Sequence, residues 1–176
     1  YSHICSLHVI GESVLGRELT ALKITREPHI EEDEPEVKIV GTIHGDEALS
    51  TDMALRLARL LTENYGETTA TGTRVTALVD STEVWILPVM NPDGYVEVGR
   101  YNANGIDLNR NFPDGVEYQL GTIMHGDPRQ TEDCQPETLA VIDWSCEQSF
   151  TLSAALHSGA LLVAYHSNRK KITERI

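Results

Sequence analysis

Three short apolar runs constrain the fold of this chain more than any other feature. They are "EVKIVGTIH" (36–44), "EVWILPVM" (83–90) and "FTLSAALHS" (150–158), and turn-forming or polar residues bound each one. Runs of this length and composition read as buried strands. The first is followed by a helix over about 47–65, in which Leu49, Met53, Leu57, Leu60 and Leu61 are expected on one buried face and Gly66 is a natural stop. "QPETLAVIDWSCEQ" (135–148) reads as a second helix, with proline near its first position. "SLHVIGESVLGRELTALKIT" (6–25) reads as two strands around a glycine-containing turn. Strands alternating with helices predict an α/β fold with parallel strand pairs. No internal repeat or linker interrupts it, so residues 1–176 are expected to form a single domain.

Other segments carry weaker signals. The Thr-rich stretch 67–81 is expected to be loop, and "NPDG" (91–94) to be the turn closing the second strand. Residues 99–135, dense in Gly, Asn, Pro and Asp, should form a long irregular segment of the kind that often carries function.

Net charge is −13 with a pI near 4.8, which argues against general nucleic-acid binding. Much of the acid sits in "REPHIEEDEPE" (26–36), expected to be a solvated loop. No apolar run approaches the ~20 residues of a membrane span. The opening "YSHICSLHVIG" has no basic-then-apolar leader and reads as the interior of a protein. Cys134 precedes the predicted helix and Cys146 lies within it, so the ~18 Å rise between them exceeds disulfide reach and they are not expected to pair with each other.

A catalytic zinc site needs three protein ligands and an open position. "HGDE" offers His44 and Glu47 where a strand runs into a helix, and α/β sheets put their sites at such carboxyl ends of strands. His157, at the end of the third run, is the candidate third ligand. His-x-x-Glu alone is a weak signal, and a second instance, His29 with Glu32, lies in the acidic loop with no strand end beneath it. The competing reading makes His44 a hydrogen-bonded histidine and His157 a satisfied core histidine.

"GRYNANGIDLNRNFPDG" (99–115) adds Arg100 and Arg110 among asparagines. An arginine fork binds a carboxylate through two parallel hydrogen bonds, and Asn109 adds amide donors beside Arg110. A metal with this clamp suits a substrate whose free carboxylate lies next to a polarised carbonyl. The bland alternative is turn-forming asparagines with surface arginines.

Taken in order, "HGDE", "NPDGY" (91–95), "GRYNANGIDLNRNFP" (99–113), "QPETLAV" (135–141) and "LHSGALLVAY" (156–165) resemble the zinc metallocarboxypeptidases, in particular the N/E (regulatory) subfamily. The resemblance covers roughly residues 5–165. It implies a carboxypeptidase-like fold: a mixed, partly parallel central sheet flanked by helices, here incomplete at its C-terminal side. It implies one zinc ion held by His44, Glu47 and His157. It implies that Arg100 polarises the scissile carbonyl and that Asn109 and Arg110 grip the terminal carboxylate of a peptide or protein substrate, so that single C-terminal residues are released. Pro92 and Gly94 would serve backbone geometry, and the subfamily points to a secreted or secretory-pathway location.

Two departures from the family pattern follow. The family's general-base glutamate and its substrate-capping tyrosine come from a later strand, whereas Glu174 is the only acidic side chain after His157. The chain is therefore expected to be a partial catalytic domain that holds the metal site and clamp without the base, with a partner chain or further segment completing it. An inactive module binding zinc or peptide C-termini is the alternative. Where the subfamily usually reads "SYPFD", this chain reads "AYHSN", which puts Asn168 at the position of the aspartate that selects C-terminal Lys or Arg.

Overall fold

The computed structural model describes residues 1–113, 134–159, 162–167 and 170–175. A five-stranded mixed sheet runs in the order β1-β2-β4-β3-β5. β1 (Cys5–Glu12) and β2 (Glu18–Ile24) form an antiparallel hairpin, and β2 pairs antiparallel with β4 (Glu83–Leu87). β3 (Glu36–Val40) is parallel to both its neighbours, β4 and β5 (Phe150–Ala155). Two helices, α1 (Ala48–Asn64) and α2 (Ala70–Val79), connect β3 to β4. A short helix α3 (Pro92–Glu97), a 3₁₀ turn (Leu108–Arg110) and α4 (Pro136–Glu147) lie between β4 and β5. A separate antiparallel hairpin pairs β6 (Leu162–Ser167) with β7 (Lys170–Arg175). The α/β expectation, with a mixed and partly parallel sheet, is borne out.

Strand alternation sorts the core into two layers. On one face, Leu19, Ala21, Trp85 and Leu87 pack with Val141 and Trp144 of α4. On the other, Ile24, Val84 and Ile86 pack with Ala54, Ala58 and Leu61 of α1 and with Val75 and Val79 of α2. The crossovers therefore cover opposite faces of the sheet. The chain goes from β3 to β4 on one side of β3 and returns to β5 on the other, which opens a crevice beyond the carboxyl ends of β3 and β5.

Four local expectations are corrected. The buried stripe of α1 is Ser50, Thr51, Ala54, Ala58 and Leu61, while Leu49, Met53 and Leu60 are exposed. Small residues let the helix lie close to the sheet, and the bulky ones are turned outward. The stretch expected as loop over 67–81 contains α2, capped by the Thr69 hydroxyl accepting from Gly72 N–H at 3.0 Å. "NPDG" continues past a turn into α3, with the Asn91 side chain accepting from Gly94 N–H. β5 is exposed along most of its length because, among the described residues, it pairs only with β3.

The acidic run is exposed at Glu27, Glu31 and Asp33. Its last residue, Glu36, opens β3 and is buried, accepting from Ser149 N–H. Burial pushes the Glu36 carboxyl up, against the Ser149 hydrogen bond, which lowers it. No helix among the described residues is long and apolar enough to cross a membrane. No disulfide joins any of Cys5, Cys134 and Cys146.

Candidate metal centre

The parallel pairing of β3 with β5 sets Val40 opposite Ala155, and Leu156 N–H donates to the Val40 carbonyl at 2.8 Å. The residues just beyond these two strand ends are thereby brought together. His44 and His157 face each other with ring centroids 5.1 Å apart. Glu47 stands between them: its Oε1 is 2.8 Å from His44 Nδ1 and its Oε2 is 2.9 Å from His157 Nδ1. The Ser158 N–H also donates to Glu47 Oε2. Glu47 occupies the N-cap position of α1 but makes no side-chain cap, because its carboxylate is turned into this cluster.

His44 is almost fully buried, Glu47 mostly so, and His157 is 36% exposed, so the cluster opens to solvent on the His157 side. Burial pushes the Glu47 carboxyl up. The hydrogen bonds from His44, the Ser158 N–H and His157 outweigh that and hold it below the usual carboxylate range.

Arg100, Asn109 and Arg110 enter through a residue that the sequence reading did not single out. Asp107 Oδ1 lies 3.1 Å from His44 Nε2, and Asp107 Oδ2 accepts from Arg100 Nε at 3.0 Å and from a terminal guanidinium nitrogen at 2.8 Å. Burial raises the Asp107 carboxyl. The hydrogen bonds from Arg100, His44 and the Asn109 N–H bring it down overall. The same Asp107 carboxylate holds the Arg100 guanidinium above its ordinary range. Asp107 thus fixes His44 from one side and Arg100 from the other.

Asn109 and Arg110 lie within the 3₁₀ turn itself, which the fully buried Leu108 anchors. Both are exposed, and Arg110 donates to the Asn109 carbonyl. Asn168 lies outside the described residues, as does the part of the irregular segment over 114–133. A signal for Asp107 existed in "GIDLNR": a lone acid two residues before the amide-and-guanidinium pair, in a turn that its own side chain caps through Asn109 N–H.

Asn91 ties the two halves of the site together. Fully buried, its amide lies 3.5 Å from the Ile43 carbonyl and 3.4 Å from the Arg100 carbonyl, linking the residues beside His44 to the loop that carries Arg100. A Cβ on Gly94 would meet the Asn91 amide at 2.5 Å, and one on Gly45 would meet the Gly94 backbone at 1.9 Å. The two glycines are needed for this close backbone approach.

The donor set suits a borderline-soft divalent ion. One nitrogen from each imidazole and one carboxylate oxygen lie within 4.8 Å of one another, compatible with a shared ion ~2 Å from each. With an ion bound, the Asp107 carboxylate at His44 Nε2 would keep the proton on that nitrogen and leave the Nδ1 lone pair for the metal.

The family model described as "Zinc carboxypeptidase" matches residues 1–174. The chain belongs to the zinc carboxypeptidase family. It is 42% identical over 175 residues to Carboxypeptidase D of Mus musculus, covering 94% of this chain and 12% of that protein. It is 40% identical over 183 residues to the Carboxypeptidase N catalytic chain of Homo sapiens, covering 92% of this chain and 39% of that one. Among solved structures, thrombin activatable fibrinolysis inhibitor (TAFI) superposes with a TM-score of 0.74 at 22% identity, covering 97% of this chain and 46% of that chain. The Carboxypeptidase A from Helicoverpa armigera gives 0.70 at 23% identity, covering 91% and 42%. These structures share the fold. The chain spans well under half the length of the curated relatives it matches.

Proposed function

We propose that this chain is part of the catalytic domain of a zinc-dependent metallocarboxypeptidase that removes single residues from the C-termini of peptides or proteins. The observation that carries the reading is the convergence of His44, Glu47 and His157 at two neighbouring strand ends, braced through Asp107 to Arg100. His44, Glu47 and His157 would hold the zinc ion, which when bound supplies Lewis-acid activation of a carbonyl and of a water.

The chain's own residues do the rest of the positioning. Arg110, beside the Asn109 amide, would pair with the substrate's terminal carboxylate through its guanidinium fork. That fixes which peptide bond lies in the crevice and restricts cleavage to the last residue. Arg100, oriented by Asp107, retains donors for the negative charge that develops on the scissile carbonyl oxygen. Asp107 keeps one proton on His44 Nε2.

No residue here is assigned as the general base. Glu47 and Asp107 are engaged by the histidines and Arg100, and Glu174 has no described side chain. A second reading for the chain by itself is a module that holds zinc and peptide C-termini without turnover. The side-chain preference belongs to the same proposal: the subfamily's preference is for C-terminal Lys or Arg, and Asn168, an amide at the position of the selecting aspartate, lacks the charge that favours them; a secreted or secretory-pathway location, which rests on kinship, belongs to it too. The test is release of single amino acids from peptides, with His157→Ala as control. Release by the wild type that the variant abolishes while remaining folded supports the enzyme reading. Peptide binding without release supports the module, and release unchanged in the variant contradicts both.

A further inference from the structure

We propose that three buried hydroxyls, those of Thr42, Ser50 and Thr51, act as a positioning device for His44 and Glu47; this rests on reading that pair as metal ligands. Thr42 lies two residues before His44, is fully buried, and has a backbone φ of 49°. A β-branched side chain is strained in this left-handed region, which glycine occupies freely. The backbone around it is docked on the end of β4, with Met90 N–H donating to the Gly41 carbonyl and Asn91 N–H to the Thr42 carbonyl, each at 3.0 Å. Thr42 is thus the bend at which the chain leaves β3 and turns toward the site.

The hydroxyls hold that bend. Ser50 Oγ donates to the Glu47 carbonyl at 2.6 Å and accepts from Thr42 N–H at 2.9 Å. The Thr42 hydroxyl lies 3.0 Å from Ser50 Oγ, and the Thr51 hydroxyl is hydrogen-bonded to Thr42 Oγ1. Proton counting gives the chain a direction. A carbonyl can only accept, so the single Ser50 proton goes to Glu47. The Thr42 proton must then go to Ser50, and the Thr51 proton to Thr42. Each hydroxyl donates once and the relay ends on the Glu47 backbone.

One serine oxygen therefore joins the two arms of the site, the bend that aims His44 and the first turn of α1 that carries Glu47. Glu47 needs this, since its φ of −93° and ψ of 53° are not helical. None of the three hydroxyls is hydrogen-bonded to the side chain of His44, Glu47 or His157, so they are positioning residues.

The test measures zinc affinity of the 176-residue chain by chelator competition, and the visible spectrum of the cobalt(II)-loaded form, alongside urea denaturation of the metal-free protein. Ser50→Ala should weaken zinc by about tenfold or more, the scale seen when groups supporting a ligand are removed, and alter the cobalt bands. In a Thr42→Gly background, where glycine adopts the bend unaided, the same substitution should cost less than about threefold. Thr51→Val, which removes only the first donor, should give a smaller loss and decides the matter if Ser50→Ala does not fold. Folded variants with lowered stability but unchanged zinc affinity and cobalt spectrum would overturn the positioning role alone. A wild-type chain that takes up no zinc would overturn the metal reading and this inference with it.

Discussion

Glu137 is the buried carboxylate on which the site's loop hangs, and its removal is a demanding test of the structure. It is fully buried in the first turn of α4. Its Oε1 accepts from Val14 N–H at 3.2 Å, and its Oε2 accepts from the Asn102 amide at 3.2 Å. Asn102 in turn caps Asn104 N–H and Ile106 N–H, in the loop between Arg100 and Asp107. Glu137→Ala removes two charge-assisted hydrogen bonds, each worth ~1.5–3 kcal/mol. The Asn102 amide keeps Gln135 Oε1 at 3.0 Å, but Val14 N–H loses its acceptor. Relief from burying a charge offsets part of the loss, which leaves a net destabilisation of about 3 kcal/mol. Glu137→Gln keeps the shape and one acceptor but sets an NH₂ against a donor, for about 1–2 kcal/mol. Urea denaturation followed by fluorescence reads this directly, since Trp85 and Trp144 are both buried and Trp144 lies on the same helix. A cost below about 0.5 kcal/mol for the alanine variant, or equal costs for both variants, would refute the reasoning.

Asp107→Asn should lower zinc affinity about 10- to 100-fold, because the His44 tautomer and orientation are no longer fixed; chelator competition measures it, and an unchanged affinity would remove Asp107 from the site. Gly45→Ala forces a Cβ to within 1.9 Å of the Gly94 backbone and should cost more than about 3 kcal/mol or prevent folding, read by circular dichroism and denaturation. Lys38 is buried with its ammonium donating to the Ser145 hydroxyl and lying over the Trp144 and Phe150 rings, and burial pushes its pKa down. Its cost to the fold is therefore fully present below its folded pKa and is relieved as pH rises through that value toward the unfolded ~10.4. Lys38→Met should be at least as stable as wild type at neutral pH, with the difference narrowing as pH rises through the lowered folded pKa of Lys38; a gap that widens with pH would contradict this sign.

The strands were legible because apolar, β-branched runs have few other uses in a chain of this composition. The buried face of α1 was not. Its leucines follow a helical repeat, yet the sheet accepts Ala54 and Ala58 at close approach and leaves Leu49 and Leu60 outside. α2 was missed because "ATGTRVTALV" is poor in strong helix formers; packing of Val75 and Val79 against the sheet supplies what propensity lacks. β5 read as buried because composition does not show how a strand is paired; among the described residues it pairs only with β3. In the site, His44, Glu47 and His157 were candidates from their positions at strand ends, and the family resemblance joined them into one ligand set. Asp107 was hidden among turn-forming residues, and its bridging of His44 and Arg100 depends on a fold in which the loop returns over β3. Thr42 gave no sign at all, since a left-handed threonine is disfavoured until its hydroxyl partners are in place.

Every role proposed for these residues depends on what binds between the two strand ends. X-ray absorption at the zinc edge of the loaded chain, with elemental analysis of the same sample, measures this. One zinc per chain in a nitrogen and oxygen shell with two imidazoles, lost in His157→Ala, is the predicted result. Zinc that is substoichiometric after loading, bound through the sulfur of Cys5, Cys134 or Cys146, or retained unchanged in His157→Ala would contradict it.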